Sequence, residues 1–361
     1  MSIKTLPPGC NSGGPATGLQ LRPEQTMDTH NHQQVRVAVD AMGGDYAPAE
    51  VVKGAVQAAR NGGVEIILVG PEERVREELA IHDITDLPLR VHHTNQFIAD
   101  GEHPAAALRK KPQASVAVAA RLVQEGQAEA AVSMGHTGAV MIAAHWILGS
   151  IEGIDRPVGG GVPFALAPRT VALDLGPNVD CKPRQFVQFA VLGVAYARCL
   201  LGLDSPTVAL LANGSEEGKG NRQSREAYQL LQKSGLNFIG NVEGWDLLSD
   251  RANVIVCDGF VGNVLLKFGE GLGAALARWL RERLASLLPS TEIQRLTDEL
   301  QEMMDIEKRF GGVPLLGVKG VMVVGHGRCR ASGIEKAIGQ ARLAVESHLI
   351  ETMEEELAKI R

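Results

Sequence analysis

From Val35 onward the chain alternates between short apolar runs and longer stretches whose apolar residues recur at helical spacing. Residues 35–40, 65–69, 89–92, 130–133, 171–175, 208–211 and 254–257 read as strands, several of them apolar on successive positions, as strands buried on both faces are. Each precedes a helical pattern, among them 48–60, 72–82, 104–109 and 115–125. This β-α alternation predicts a three-layer α/β fold, a mainly parallel sheet with helices on both faces. Residues 158–164 and 237–242 read as weaker strands of antiparallel character. The stretch 264–307 reads as two helical arms, with Leu276, Leu280, Leu284 and Leu287 on the first and Ile293, Leu296 and Leu300 on the second. Pro289, Ser290 and Thr291 break it with a turn and a cap, which predicts a protruding helical hairpin closed by Gly311 and Gly312. A strand over 321–324 and one last helix from Ser332 to about Lys359 complete the pattern.

Residues 1–34 carry no hydrophobic period and are rich in Pro, Gly, Asn, Gln, Thr and His. They read as a disordered leader ahead of a domain over 35–361 that includes the hairpin at about 264–309. A residue content 45% hydrophobic but only 4% aromatic, with 41 glycines, suits an Ala/Val/Leu/Gly-rich α/β protein. The net charge of −6 argues against a nucleic-acid footprint. Five cysteines without paired spacing suggest a reducing compartment rather than a disulfide frame or zinc site. No uninterrupted apolar run reaches the roughly 18 residues of a membrane span, and the expected location is cytoplasmic.

The chemistry concentrates where apolar strands end. Asp40-Ala-Met-Gly43-Gly44-Asp45 follows the first strand, and Met134-Gly-His136-Thr137-Gly138 another. A third turn runs from Asp174 through Asn178, Asp180 and Cys181 to Lys182. The fourth holds Gly214, Gly218 and Gly220 among Ser215, Glu216, Glu217, Lys219 and Asn221. Asp258 to Asn263 and His326-Gly327 are the fifth and sixth. In an open parallel sheet, ligands bind beyond the carboxyl ends of the strands, so all six turns are expected along one edge. The bland alternative is that turns are rich in Gly, Asn and Asp because these residues tolerate positive φ.

The strand, glycine-rich turn and helix over 207–233 can turn backbone N–H groups and a helix N-terminus towards an anion, with Lys219 adding positive charge. It is not a nucleotide P-loop, because three residues separate Gly214 from Gly218 and Gly220 occupies the position of the metal-binding hydroxyl. No G-x-S-x-G elbow, H-E-x-x-H motif or G-x-G-x-x-G dinucleotide fingerprint occurs at these turns. Asp40, Asp45, Asp174, Asp180 and Asp258 suit a metal ion in principle, but acidic residues in helix-leading turns are more often caps. The site reads as anion-binding, with no cofactor and no metal.

The segments VAVDAMGGDYAPAEVVKGA (37–55), GIDRP (153–157), LDLGPNVDCKP (173–183), SEEGKGN (215–221), NFIGNVEGWDLL (237–248), VCDGFVGNVLLK (256–267) and GGVPLLGVKG (311–320) together resemble the bacterial phosphate acyltransferases of the PlsX family. The resemblance runs in order from Val35 to the last helix. It implies conversion of acyl-(acyl carrier protein) and inorganic phosphate to acyl phosphate in phospholipid biosynthesis. It also implies a fold similar to isocitrate and isopropylmalate dehydrogenases, a homodimer and peripheral association with an anionic membrane surface, where a membrane glycerol-3-phosphate acyltransferase (PlsY) consumes the product. Three positions depart from the family pattern: His136 stands for a usual Asn, Asn213 is displaced by one residue, and Arg328 replaces a usual Ser.

Within that resemblance Lys182 and Lys219, with glycine N–H groups, are expected to hold phosphate. Asn178, Asn263 and Thr137 are expected to donate to the thioester oxyanion, and His326 to donate a proton. Gly43, Gly44, His136, Gly138, Asp180, Glu217, Asn221 and Asp258 complete the expected substrate-binding set. Trp279, Leu284, Leu287, Leu288 and Pro289, near Arg281 and Arg283, form the expected membrane tip, while the leucines of the arms suit dimerisation. Lys267, Arg278, Lys308 and Arg309 are candidates for docking the acidic carrier protein. The rival readings are an NAD(P)-dependent decarboxylating dehydrogenase of the same fold, which requires the missing dinucleotide fingerprint, and a non-catalytic membrane scaffold.

Overall fold

The computed structural model describes residues 34–99 and 101–360, so the expected leader over 1–34 lies almost wholly outside the described residues. Eleven strands form one sheet in the order β3-β2-β1-β4-β11-β10-β5-β6-β9-β7-β8. They are β1 (Val35–Asp40), β2 (Val64–Gly70), β3 (Leu89–His93), β4 (Ala130–Ser133), β5 (Val158–Gly161), β6 (Val171–Leu173), β7 (Val208–Leu211), β8 (Phe238–Val242), β9 (Val254–Val256), β10 (Gly312–Leu316) and β11 (Val321–Gly325). The apolar runs form central strands because both of their faces are covered. On β1, Val37 and Val39 enter one core and Ala38 the other; on β2, Ile66 and Leu68 part in the same way from Ile67 and Val69.

Helices α1 (Ala49–Asn61), α2 (Glu72–Leu79), α3 (Pro104–Lys110), α4 (Ser115–Gln124), α5 (Thr137–Ala143), α6 (Pro183–Leu201), α7 (Arg222–Gln232), α8 (Gly259–Leu284), α9 (Ser290–Met304), α10 (Ile306–Phe310), α11 (Ala331–Glu346) and α12 (Leu349–Lys359) complete the described elements, with single helical turns at 144–148 and 244–248. One large apolar core joins α1, α6, α11 and α12 to one face of the sheet. The opposite face carries two separate cores, one under α4 and α5, the other beside the start of α8. The result is the expected three-layer α/β arrangement.

Four expectations need correction. First, the six chemistry-bearing turns do not share one edge. β10 pairs antiparallel with both β11 and β5, and β5 pairs antiparallel with β6. These reversals point β6, β7 and β9 opposite to β1, β4 and β11, so their carboxyl ends lie at opposite edges. Being antiparallel to both neighbours, β10 leaves β11 and β5 in one direction, and the antiparallel β5–β6 pairing completes the reversal. Strand β10 lies just after Gly311 and did not register as a strand because Gly312 and Pro314 interrupt its apolar pattern. Second, β8 runs parallel to β7, not antiparallel. Third, the last helix is two: His348 adopts φ 54°, a left-handed conformation that ends α11 and starts α12. Fourth, α8 begins at Gly259, five positions before Val264, because Asp258 caps it by accepting from the Val261 N–H at 2.9 Å.

Helix α8 is unusual in composition. Its buried positions are Gly259, Gly262, Leu266, Gly269, Gly273 and Ala277, whereas Phe260, Val264, Phe268, Leu272, Leu276 and Trp279 are exposed. Small residues let the backbone approach α9 and the sheet closely, and the large apolar side chains are left outside. Among the described residues α8 is the one helix long and apolar enough to cross a membrane. Its packed glycine face and its capped N-terminus within the cleft described below account for it as a helix of the folded domain.

Candidate active site

Two turns are organised by buried carboxylates. Asp40, at the end of β1, accepts from the Met42 N–H at 3.2 Å and from the Ser133 hydroxyl at 2.7 Å. Ser133 in turn accepts from the Gly135 N–H at 3.1 Å, and the Asp45 N–H donates to the Gly327 carbonyl at 2.8 Å. The turns after β1, β4 and β11 are thereby tied together. Gly43 is required at the centre of this knot, since a Cβ there would lie 2.7 Å from both an Asp40 carboxylate oxygen and the Gly135 nitrogen. Burial holds the Asp40 carboxyl above the usual carboxylate range, against the hydrogen bonds from Ser115, Ser133 and the backbone that lower it.

Asp174, at the end of β6, is fully buried and accepts from the Gly176 N–H at 2.8 Å and from the Asn178 N–H and side-chain amide at 2.8 and 2.7 Å. The first turn of α8 rests on this structure: the Gly259 N–H donates to the Asn178 carbonyl at 2.8 Å. A Cβ on Gly262 would come 1.8 Å from the Asp174 carbonyl oxygen. Asn263 projects from the same turn of α8 and faces Gly176. Gln223, in the first turn of α7, donates to the Cys181 carbonyl. The starts of α6, α7 and α8 thus meet around one cavity of about 540 Å³ lined by Phe186, Asn213, Gly220, Asn221, Ser224 and Asp258. Three helix N-termini facing one space favour a bound anion.

Burial pushes the Asp174 carboxyl up to about 7, outweighing the three hydrogen bonds it accepts, and Asp258 nearby acts in the same direction. A group whose folded pKa lies above its unfolded value of 3.8 binds an extra proton in the folded state between the two values. Its contribution to stability therefore declines as pH rises through that window and is level above about 7. The stability of the wild type relative to Asp174→Asn is expected to fall between pH 5 and pH 7, as chemical denaturation at a series of pH values will measure. A difference that stays flat across this range would contradict the assignment.

The expected oxyanion role of Asn178 does not survive. Its side-chain amide donates to Asp174 and, at 3.0 Å, to the Pro157 carbonyl, so both amide protons are committed to the turn and the residue is buried. Asn178 is a turn-builder. Asn263 and Thr137 instead reach a second cavity, of about 180 Å³, which they share with His326, Lys267 and Glu270. This cavity lies across a face of the sheet, over β5 and β10, where the turns from the two opposite edges come together. Convergence is real for these three candidates, but it happens over the face and not along an edge.

At its mouth, the His326 Nδ1 accepts from the Arg328 N–H at 3.3 Å, which places the ring proton on Nε2 in the neutral form. Glu307 stands 4.0 Å from the same Nδ1, too far for a hydrogen bond. Glu307 was missed in the sequence, where it reads as one more surface charge in a polar helix. Lys182 and Lys219 are both exposed, and among the described residues no carboxylate engages either ammonium. The Lys182 N–H donates to the Gln185 side-chain oxygen at 2.6 Å, capping α6, and the Lys219 N–H donates to the Glu216 carbonyl at 3.0 Å. Each lysine thus has a fixed backbone and a free head. Gly44 lies in the first knot at φ 107°, and Gly138 donates its N–H to the His136 ring at 3.0 Å, capping α5. Asn221 caps α7, while Glu217 accepts from Gln229 at 2.8 Å and Asp180 is exposed.

The three departures from the family pattern have local accounts. His136 serves as a helix cap, a task that Asn performs equally well. The displaced Asn213 accepts from the Gly220 N–H at 2.8 Å and braces the glycine-rich loop. A second brace, unforeseen, is Asn241 on β8, whose amide donates to the Glu216 carbonyl at 2.8 Å. Arg328 is exposed, and only its backbone N–H engages His326.

The thiols nearby are poor nucleophiles. Burial, aided by Asp174, pushes Cys181 up to about 12, and burial drives Cys257 well above its usual value. Of the carrier-docking candidates, Lys267 is paired with Glu270 at 2.7 Å and burial lowers the pKa of Arg309, leaving Arg278 the freest.

Comparison with known proteins places this arrangement. A family model described as fatty acid synthesis protein matches residues 35–352. A phosphate acyltransferase of Pelotomaculum thermopropionicum is 44% identical over 330 residues, covering 90% of this chain and 96% of that protein. A phosphate acyltransferase of Moorella thermoacetica is 46% identical over 321 residues, covering 88% and 94%. Among solved structures, a phosphotransacetylase from Streptococcus pyogenes aligns with a TM-score of 0.56 at 18% identity over 88% of this chain and 94% of that one. The EutD phosphotransacetylase of Staphylococcus aureus aligns at 0.54 and 15% identity over 87% and 94%. These two establish a shared fold.

Proposed function

We infer the reaction from kinship and geometry together: the chain belongs to the phosphate acyltransferase (PlsX) family, and it is an acyltransferase. It forms acyl phosphate from an acyl-(acyl carrier protein) thioester and inorganic phosphate, in fatty acid and phospholipid synthesis. The observation that carries this reading is that the start of α8 lines both an anion-favouring cavity, through Asp258 and Val261, and a second cavity, through Asn263, which also presents Thr137 and His326.

Hydrogenphosphate is already anionic near neutral pH, so the site's task is to orient it and neutralise its charge. The helix N-termini do this, with the exposed heads of Lys182, at the start of α6, and Lys219, just before α7, reaching the anion from outside, since neither side chain lines the cavity itself. Phosphate oxygen attacks the thioester carbonyl directly, because the buried thiols stay protonated and offer no covalent intermediate. Asn263 and Thr137 donate to the oxyanion. The thiolate then leaves, and its stability makes strong acid help unnecessary. The proton that hydrogenphosphate gives up as it becomes the acyl phosphate ends on the thiol, and His326 can relay it by taking it up on one ring nitrogen and releasing one from the other. Mixing the purified protein, an acyl carrier thioester and phosphate, then trapping the product as its hydroxamate, tests the reading. Phosphate-dependent hydroxamate formation is expected, and thioester cleavage that does not respond to phosphate would refute it.

The exposed row Phe260, Val264, Phe268, Leu272 and Leu276 along α8 is the face through which two copies pair, and the packed α8–α9 arms make the protruding hairpin. At its tip Leu287 is 72% exposed beside Leu288, with the Arg283 guanidinium 5.9 Å from the Trp279 ring. Such an apolar tip with basic flanks suits peripheral attachment of a cytoplasmic enzyme to an anionic membrane, where PlsY would take the product. Leu287→Glu with Leu288→Glu is expected to release the protein from anionic vesicles while phosphate-dependent turnover persists; unchanged co-sedimentation would remove the tip from membrane binding.

A further inference from the structure

The cavity holding Asn263, Thr137 and His326 changes character with depth. Its mouth is polar. Its floor is made by Val313, Leu315 and Val324, and its walls by Leu175, Leu266 and Ile306. This apolar part lies between two separate hydrophobic cores on one face of the sheet: Leu315, Val324 and Val313 belong with the core under α4 and α5, and Leu175 with the core beside α8. A gap between two apolar cores leaves hydrocarbon surface facing an open slot. A phosphate or an amide seated there would lose its hydrogen bonds to water without replacement, whereas an alkyl chain would lose none.

Behind one wall lies a small second void, of about 10 Å³, lined by Phe164, Leu211, Leu247, Leu265 and Cys257. It shares Leu175 and Leu266 with the first cavity, so these two side chains are the partition between them. The far side of the void is fixed: the Phe164 ring packs on Gly269 of α8 so closely that a Cβ there would lie 2.4 Å from it.

We propose that the slot floored by Val313, Leu315 and Val324 seats the hydrocarbon chain of the acyl donor, and that Leu266 with Leu175 sets how long a chain it accepts. This assignment rests on the acyl-transfer reading for its ligand class, and it adds a substrate-specificity element to it. The thioester carbonyl lies at the polar mouth beside Asn263 and Thr137, and the chain runs inward until the Leu175–Leu266 partition stops it.

Two variants and two readouts test it. In Val313→Phe the ring fills the floor; kcat/KM for long acyl donors should drop about tenfold or more relative to short ones, while KM for phosphate holds. In Leu266→Ala the slot opens into the void, and each further methylene accommodated should raise kcat/KM about fourfold, moving the optimum towards longer chains. Leu175→Ala serves the same purpose if Leu266→Ala does not fold. Independently of turnover, a fluorescent long-chain fatty acid should bind the wild-type protein and fail to bind Val313→Phe. Unaltered chain-length profiles in folded variants, or fatty-acid binding indifferent to Val313→Phe, would overturn the slot. Fatty acid bound in the slot with no acyl phosphate formed from any thioester would sink the activity and leave the slot standing.

Discussion

Lys182→Ala is expected to lower phosphate-dependent acyl phosphate formation by about two to three orders of magnitude in a protein that remains folded. The separation of the two effects follows from how Lys182 is held. Its backbone N–H donates to the Gln185 side chain and its carbonyl accepts from the Gln185 N–H, so the start of α6 is built by main-chain atoms that alanine retains. The ammonium is exposed, and no carboxylate among the described residues neutralises it. Truncation therefore removes a fixed positive charge from the anion-favouring end of α6 and little else. Hydroxamate assays over a range of phosphate concentrations, with a thermal melt as the fold control, measure it. Lys182→Arg should recover part of the loss by restoring charge without the same reach. Near-normal turnover in the alanine variant would take Lys182 out of the mechanism.

The second large effect is on structure and site together. Gly262→Ala puts a methyl group 1.8 Å from the Asp174 carbonyl oxygen, a backbone atom that cannot swing aside as a side chain would. The first turn of α8 must lift from the 174–178 turn, breaking the contact between the Gly259 N–H and the Asn178 carbonyl and moving Asn263. The cost is expected to be about 3 kcal/mol or more, and whatever protein folds should lose activity because α8 carries lining residues of both cavities. Urea denaturation and the same trapping assay check the two halves. A stable, active Gly262→Ala would mean that α8 is not seated on the Asp174 turn as described.

Much of the chain was legible without coordinates. Nearly every apolar run became a strand within a residue or two of its expected bounds, because continuous Val, Ile, Leu and Ala suit a strand covered on both faces. The strand-end turns stood out for a related reason: Gly, Asn and Asp gather where the chain must leave the sheet. The order of motifs from Val35 onward sufficed to identify the family. The errors have physical causes too. β10, with Gly312 and Pro314, lacks the pattern of a strand yet pairs antiparallel with two neighbours, and together with the antiparallel β5–β6 pairing this sets β6, β7 and β9 against β1, β4 and β11. Asn178 reads identically whether its amide faces a ligand or a carboxylate four residues away. Glu307 became part of the site only because α10 lays it beside His326.

The apolar periodicities, the strand-end chemistry and the family were set by local sequence, since side-chain size, polarity and backbone preference act over a few residues. Where the turns meet was decided in three dimensions. Strand direction depends on pairing partners far along the chain, and three successive antiparallel pairings moved the meeting point from an edge of the sheet to its face. Which amides are free, which carboxylates are buried and which cavity is lined with hydrocarbon follow from that packing alone.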